Sequence, residues 1–78
     1  MNKTLGMGLT FNGLRVAVSV KFQKYPFHNS RKVVVTVGGL CVVEAKWDVA
    51  GKEYALEALK AIGDEVAELS DALKKVEV

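Results

Sequence analysis

Apolar and polar residues alternate along the first two dozen positions, and the alternation mirrors itself about Asn12-Gly13. Leu5, Met7, Leu9 and Phe11 precede the pair; Leu14, Val16, Val18, Val20 and Phe22 follow it. A period of two is the signature of a half-buried strand. Asn-Gly is the strongest short hairpin signal, because a two-residue type I′ turn needs φ > 0 at both central positions. Folding the chain there sets Phe11 opposite Leu14, Leu9 opposite Val16, Met7 opposite Val18 and Leu5 opposite Val20. All the apolar side chains then share one face. Arg15, Ala17, Ser19, Lys21 and Gln23 take the other. The pattern predicts strands over 5–11 and 14–24.

Tyr25-Pro26-Phe27-His28-Asn29-Ser30-Arg31 ends the alternation. Proline removes a backbone donor and Asn-Ser is turn chemistry, so this segment is expected to be a loop. Two further strands follow, 32–37 and 40–47, joined at Gly38-Gly39. Val33, Val35 and Val37 form one apolar set; Cys41, Val43, Ala45 and Trp47 form another. A two-residue turn would place these sets on opposite faces. A three-residue turn, Gly38-Gly39-Leu40, pairs Val37 with Cys41 and Val35 with Val43 and unites them, with a bulge nearby. That register is the expectation, and it points Cys41 inward. Val34, Leu40 and Val42 then stay on the outer face, making this edge the expected dimer contact.

The period changes after Val49. Leu59, Ile62, Val66, Leu69, Leu73 and Val76 step by three and four, a heptad stripe. Asp48 fits an N-cap, and Lys74 and Lys75 suit the helix C-terminus. Gly63 either marks a close approach within one helix or splits it, with Asp64 capping the second piece. The unbroken stripe argues for one helix over 49–77, whose last turns would overhang the sheet. Leu69, Leu73 and Val76 there could pair with a symmetry mate. The expected fold is α+β: a four-stranded antiparallel meander (5–47) followed by one long C-terminal α-helix on its inner face, in a single domain spanning 1–78.

Composition narrows the class. The chain has 78 residues, half of them hydrophobic, too many for disorder. So small a core rarely supplies more than about 3–5 kcal/mol, and such chains lean on disulfides, metals or partner subunits. Cys41 is the only cysteine, which excludes an intrachain disulfide and suits a reducing compartment. One cysteine and one histidine do not make a structural zinc site. A homodimer is therefore expected. Met1-Asn2-Lys3-Thr4 does not open a signal peptide, and no apolar run reaches membrane-spanning length. The expected protein is soluble, cytoplasmic and free of membrane and cofactor.

The net charge of +2 hides an asymmetry. Residues 1–47 hold seven basic side chains against Glu44 alone; residues 48–78 hold four against eight acidic ones. Such halves suit an anionic ligand on the first, or self-association through both.

Catalysis finds little support. His28 has no expected nucleophile beside it, and a nucleophilic pair demands close geometry. Gly6-Met7-Gly8 lacks the lysine and following helix of a phosphate loop; glycines in a strand mark a bulge or a close backbone approach. The basic face is the stronger candidate. Arg15, Lys21, Lys32 and Lys46 project from the outer side of the sheet, and the adjoining loop adds Lys24, Tyr25, Phe27, His28 and Arg31. A basic surface tracks phosphate backbone, and exposed aromatics stack on bases. Phe11, Phe22 and Trp47 face inward, so the sheet lacks an aromatic platform. In layout, four strands and a long helix resemble the single-stranded-DNA-binding coactivator-type and whirly-type folds, which dimerise through strands and helix. Small phage-borne inhibitors of host enzymes or defence complexes share the same build. Neither resemblance carries a residue over. The expected function is non-enzymatic: nucleic-acid binding, DNA or RNA, through the basic face and the 24–32 loop. The alternatives are an inhibitor or adaptor docking an acidic protein partner, or a purely structural oligomer.

Overall fold

Asn12 and Gly13 stand at φ 51° and 80°, the left-handed pair that a type I′ turn requires. They join β1 (Lys3–Phe11) to β2 (Leu14–Lys24) in the expected register, with Met7 opposite Val18 at its centre. The computed structural model describes residues 3–24 and 31–78, apart from the side chains of Lys3 and Phe11. Two more strands follow, β3 (Arg31–Val37) and β4 (Leu40–Lys46). The four form one antiparallel sheet in the order β1-β2-β3-β4.

The second hairpin corrects the expected register. Gly38 and Gly39 sit at φ 59° and 85°, so the turn has two residues and Val37 faces Leu40. Consecutive glycines enter positive φ without steric cost, and the tightest turn forms. The conflict between the apolar sets is resolved one step further on. Thr36 pairs with Cys41 and Val35 with Val43, leaving Val42 as an extra residue in a bulge. The bulge restores Val43 and Ala45 to the core face but leaves Cys41 outside. Cys41 is exposed opposite Thr36, and its Sγ donates to the Val43 carbonyl at 3.4 Å. Leu40, expected on the outer face, shares the side of Val37 at the turn and is exposed.

A second correction concerns the helix. It is broken into α1 (Val49–Ile62), one turn of 3₁₀ helix (Asp64–Val66) and α2 (Ala67–Lys74). Gly63 turns the chain at φ 124°, a conformation other residues avoid. No side chain caps the second piece, so Asp64 is not the expected cap. Asp48 does cap the first: its Oδ1 accepts from the Gly51 N–H at 2.7 Å. The helical segment folds back rather than overhanging the sheet. Lys52 in the first turn of α1 donates to the carbonyls of Lys74 and Val76, at 2.9 and 2.7 Å, and Trp47 Nε1 donates to the Glu77 carbonyl at 3.2 Å. Thus a lysine satisfies the orphan carbonyls at the end of α2.

The fold-back explains why the heptad stripe runs through Gly63. A straight helix of that length would carry its last turns about 40 Å from its start, past the sheet. Broken, it packs α1 on β3 and β4, and α2 on β1. Leu59 from α1, Val66 from the 3₁₀ turn and Leu69 and Leu73 from α2 all enter one core with Val18, Val20, Phe22, Val33 and Val35. Full burial of each such side chain contributes roughly 1.5–3 kcal/mol. Trp47 meets Phe22 edge-on, with ring centroids 4.8 Å apart. Gly51 is buried at the foot of α1, where a Cβ would run into the Lys46 carbonyl oxygen. Only glycine lets α1 start so close to the end of β4.

Candidate nucleic-acid interface

Both helices pack on one side of the sheet, and strand alternation decides what the other side shows. The outer residues of β2 are Arg15, Ala17, Ser19, Lys21 and Gln23; β3 adds Lys32, Val34 and Thr36, and β4 adds Cys41, Glu44 and Lys46. Opposite them on β1 lie Thr4, Gly6, Gly8 and Thr10. No described element covers this face. Its centre is low: Gly6, Gly8 and Ala17 offer almost no side chain, and Ser19 and Thr36 hydrogen-bond to each other through their hydroxyls.

Cations stand around this flat centre. Arg15 is exposed near the Asn12-Gly13 turn, with its guanidinium reaching over Gly8. Lys21 is exposed at the other end of β2, between Thr4 and Val34. Lys46 is exposed on β4, directly opposite Lys32. Lys32 forms an ion pair with Glu44, Nζ to Oε1 at 3.0 Å. Glu44 keeps about half its side chain in solvent (54%), so the pair is worth about 0–1 kcal/mol and yields readily to a stronger anion. The sequence asymmetry has thus become a difference between faces. Glu53, Glu57, Asp64, Glu65, Glu68 and Asp71 are all exposed on the helical layer, behind the basic sheet.

The structure gathers some of the expected residues and separates others. Arg15, Lys21, Lys32 and Lys46 share the outer face. Lys24 and Arg31 pair with each other across the last rung of β2 and β3, on the parity of Phe22 and Val33. They therefore flank the sheet's end on its other side. Tyr25, Phe27 and His28 lie outside the described residues. Among the expected oligomer contacts, Leu69 and Leu73 are buried in this chain's own core, and Val76 packs against it. The fold-back spends the stripe within the subunit, leaving little of it for a partner. Val34 is half-buried on the outer face, while Leu40 and Val42 are exposed on β4.

Two features escaped the sequence reading. Cys41 is exposed because the bulge is a compromise between turn and core, and the Gly-Gly pair is its signal. The need for glycine at 51 is a tertiary contact with no local signature. Among the described residues, no group of three or more His, Cys, Asp or Glu is arranged to hold a metal. Among them, too, no helix is long and apolar enough to cross a membrane.

Comparison with known proteins adds no constraint on the site. No family model matches the chain, and neither a curated protein nor a solved structure matches it significantly.

Proposed function

We propose that the protein is a non-enzymatic nucleic-acid-binding module that holds a phosphate backbone against the outer face of its sheet. One observation carries this reading: among the described residues, a wide sheet face bears no helix, and its charged groups are Arg15, Lys21, Lys32 and Lys46 against Glu44 alone. The small residues between these cations let a backbone approach closely. Lysine and arginine contacts of this type draw affinity from released counterions and carry no sequence information. Phe22 and Trp47 are engaged with each other on the inner side, so the described face supplies charge without base stacking.

Fluorescence anisotropy with labelled single- and double-stranded DNA and RNA, at low and rising salt, tests the reading. Binding is expected to weaken steeply with salt, and each cation removed should lower the logarithmic slope by about 0.7–0.9. Substituting Arg15, Lys21 and Lys46 together by alanine should abolish it for every sequence alike. Failure of all oligonucleotides to bind at tens of micromolar protein would end the proposal. An acidic protein ligand for the same cations would then be the reading to pursue.

A further inference from the structure

We propose that β1 is a self-pairing edge: two copies of the chain join antiparallel through this strand, about a two-fold axis at Met7, into one continuous sheet. This edge is the rim of the sheet, and its pairing does not depend on what the face binds.

The strand's hydrogen-bonding pattern follows from the turn. A two-residue turn closes on a hydrogen-bonded pair, here Phe11 and Leu14. Alternation makes Leu9, Met7 and Leu5 the residues bonded to β2, and turns the N–H and C=O groups of Thr4, Gly6, Gly8 and Thr10 outward. One observed bond confirms this phase. Ala17, the partner of Gly8, accepts from the Gly38 N–H at 2.8 Å on its β3 side, so it does not bond Gly8. Among the described residues, no strand pairs with the outer side of β1.

Exposed edges are normally blunted by proline, bulges, charges or short length. β1 has none of these from Thr4 to Phe11. It is a nine-residue strand with uninterrupted register and no charged residue after Lys3. The opposite edge, β4, is shorter, bulged at Val42 and charged at Glu44 and Lys46.

The occupant that β1 fits is itself. With Met7 on the axis, Gly6 of one copy meets Gly8 of the other, Thr4 meets Thr10, and Leu5 meets Leu9. Every outward-pointing residue then falls in a hydrogen-bonded pair, ~8 bonds in all at two per pair. Leu5, Met7 and Leu9 are only half-buried in one copy and pack at the border of its core; across the axis they continue the same apolar face. Thr–Thr pairs are favourable cross-strand neighbours, and the paired stretch from Thr4 to Thr10 carries no charged residue of its own. The two glycines are not required by the single chain: a Cβ at Gly6 or Gly8 would meet nothing nearer than 3.5 or 3.8 Å, at no positive φ. Across the axis they pair with each other, so at the centre of the seam the strands themselves carry no side chain on the outer face. Both basic faces then lie on the same side.

Sedimentation and amide hydrogen exchange, each followed from low micromolar to several hundred micromolar protein, test this together. The expected mass rises to twice the 8.5 kDa chain, and protection appears in parallel at the amides of Thr4, Gly6, Gly8 and Thr10. A monomer throughout overturns the proposal. So does a dimer in which those four amides still exchange freely, since another surface would then be the contact. Gly8→Pro removes an outward N–H from an edge position where proline is tolerated, and should leave a folded monomer by circular dichroism. A folded variant that still dimerises like wild type also overturns it. If that variant does not fold, the exchange measurement on the native chain decides alone.

Discussion

The two hairpins begin alike and end differently. Each turns through two residues at positive φ, Asn12-Gly13 in one and Gly38-Gly39 in the other. In β1–β2 the turn and the apolar alternation agree, and the strands pair without a break. In β3–β4 they disagree by one residue, and the chain inserts Val42 as a bulge. The tight turn and the buried face are both kept; regular pairing is what gives way. A one-residue slip would send Val43 and Ala45 into solvent, and local distortion costs less than that. The difference extends to the rims. The consistent hairpin leaves an edge that is regular and, from Thr4 to Phe11, uncharged, while the frustrated one leaves an edge already spoiled for pairing.

Deletions probe this contrast most strongly. Removing Met7 shifts the outer half of β1 by one residue and sends Leu5 to the polar face. We expect a loss of about 3 kcal/mol, from two partly buried apolar side chains, read as a fall in denaturant midpoint. Removing Val42 should cost less than about 1 kcal/mol, because every existing pair from Val37–Leu40 to Lys32–Lys46 survives and only the bulge disappears. Equal losses for the two deletions would show that the bulge is not what reconciles the second hairpin.

The turns should respond alike. Gly13→Val and Gly39→Val each place a β-branched residue at φ near 80–85° with no atom nearby to clash. The cost is therefore backbone strain, about 1–3 kcal/mol for each. A midpoint unchanged by Gly39→Val would restore the longer turn. Cys41 gives a test without destabilisation: on the outer face its thiol should react with a disulfide reagent at nearly the rate of the unfolded chain, whereas an inward thiol would be protected. The smallest effect is expected at Lys32→Ala. The exposed pair with Glu44 should contribute less than about 1 kcal/mol, and double-mutant unfolding curves would reveal more if it exists.

The sequence by itself determined the first hairpin, its register and the identity of its two faces. It also determined the cap at Asp48 and the apolar stripe from Leu59 to Val76. These depend on neighbours in sequence: a turn dipeptide, a period of two, a period of three and four, a carboxylate three residues before an N–H. Arg15, Lys21, Lys32 and Lys46 were legible as one face for the same reason, since alternation carries each strand's polar residues to one side.

Tertiary structure decided the rest. Whether Gly63 lies within a helix or ends one depends on how far the sheet reaches beneath it. The stripe is the same in both cases, so periodicity does not tell whether Leu69 and Leu73 stay available to a partner or, as here, close the core. The place of Cys41 depended on a contest between the glycine turn and the burial of Val43, two terms that local pattern cannot weigh against each other. Lys24 and Arg31 lie close in sequence to the residues of the basic face, and strand parity sets them on the other side. Gly51 shows the limit most plainly. Nothing in its neighbours announces that the end of β4 will press against it, because that contact exists only once helix and sheet have packed.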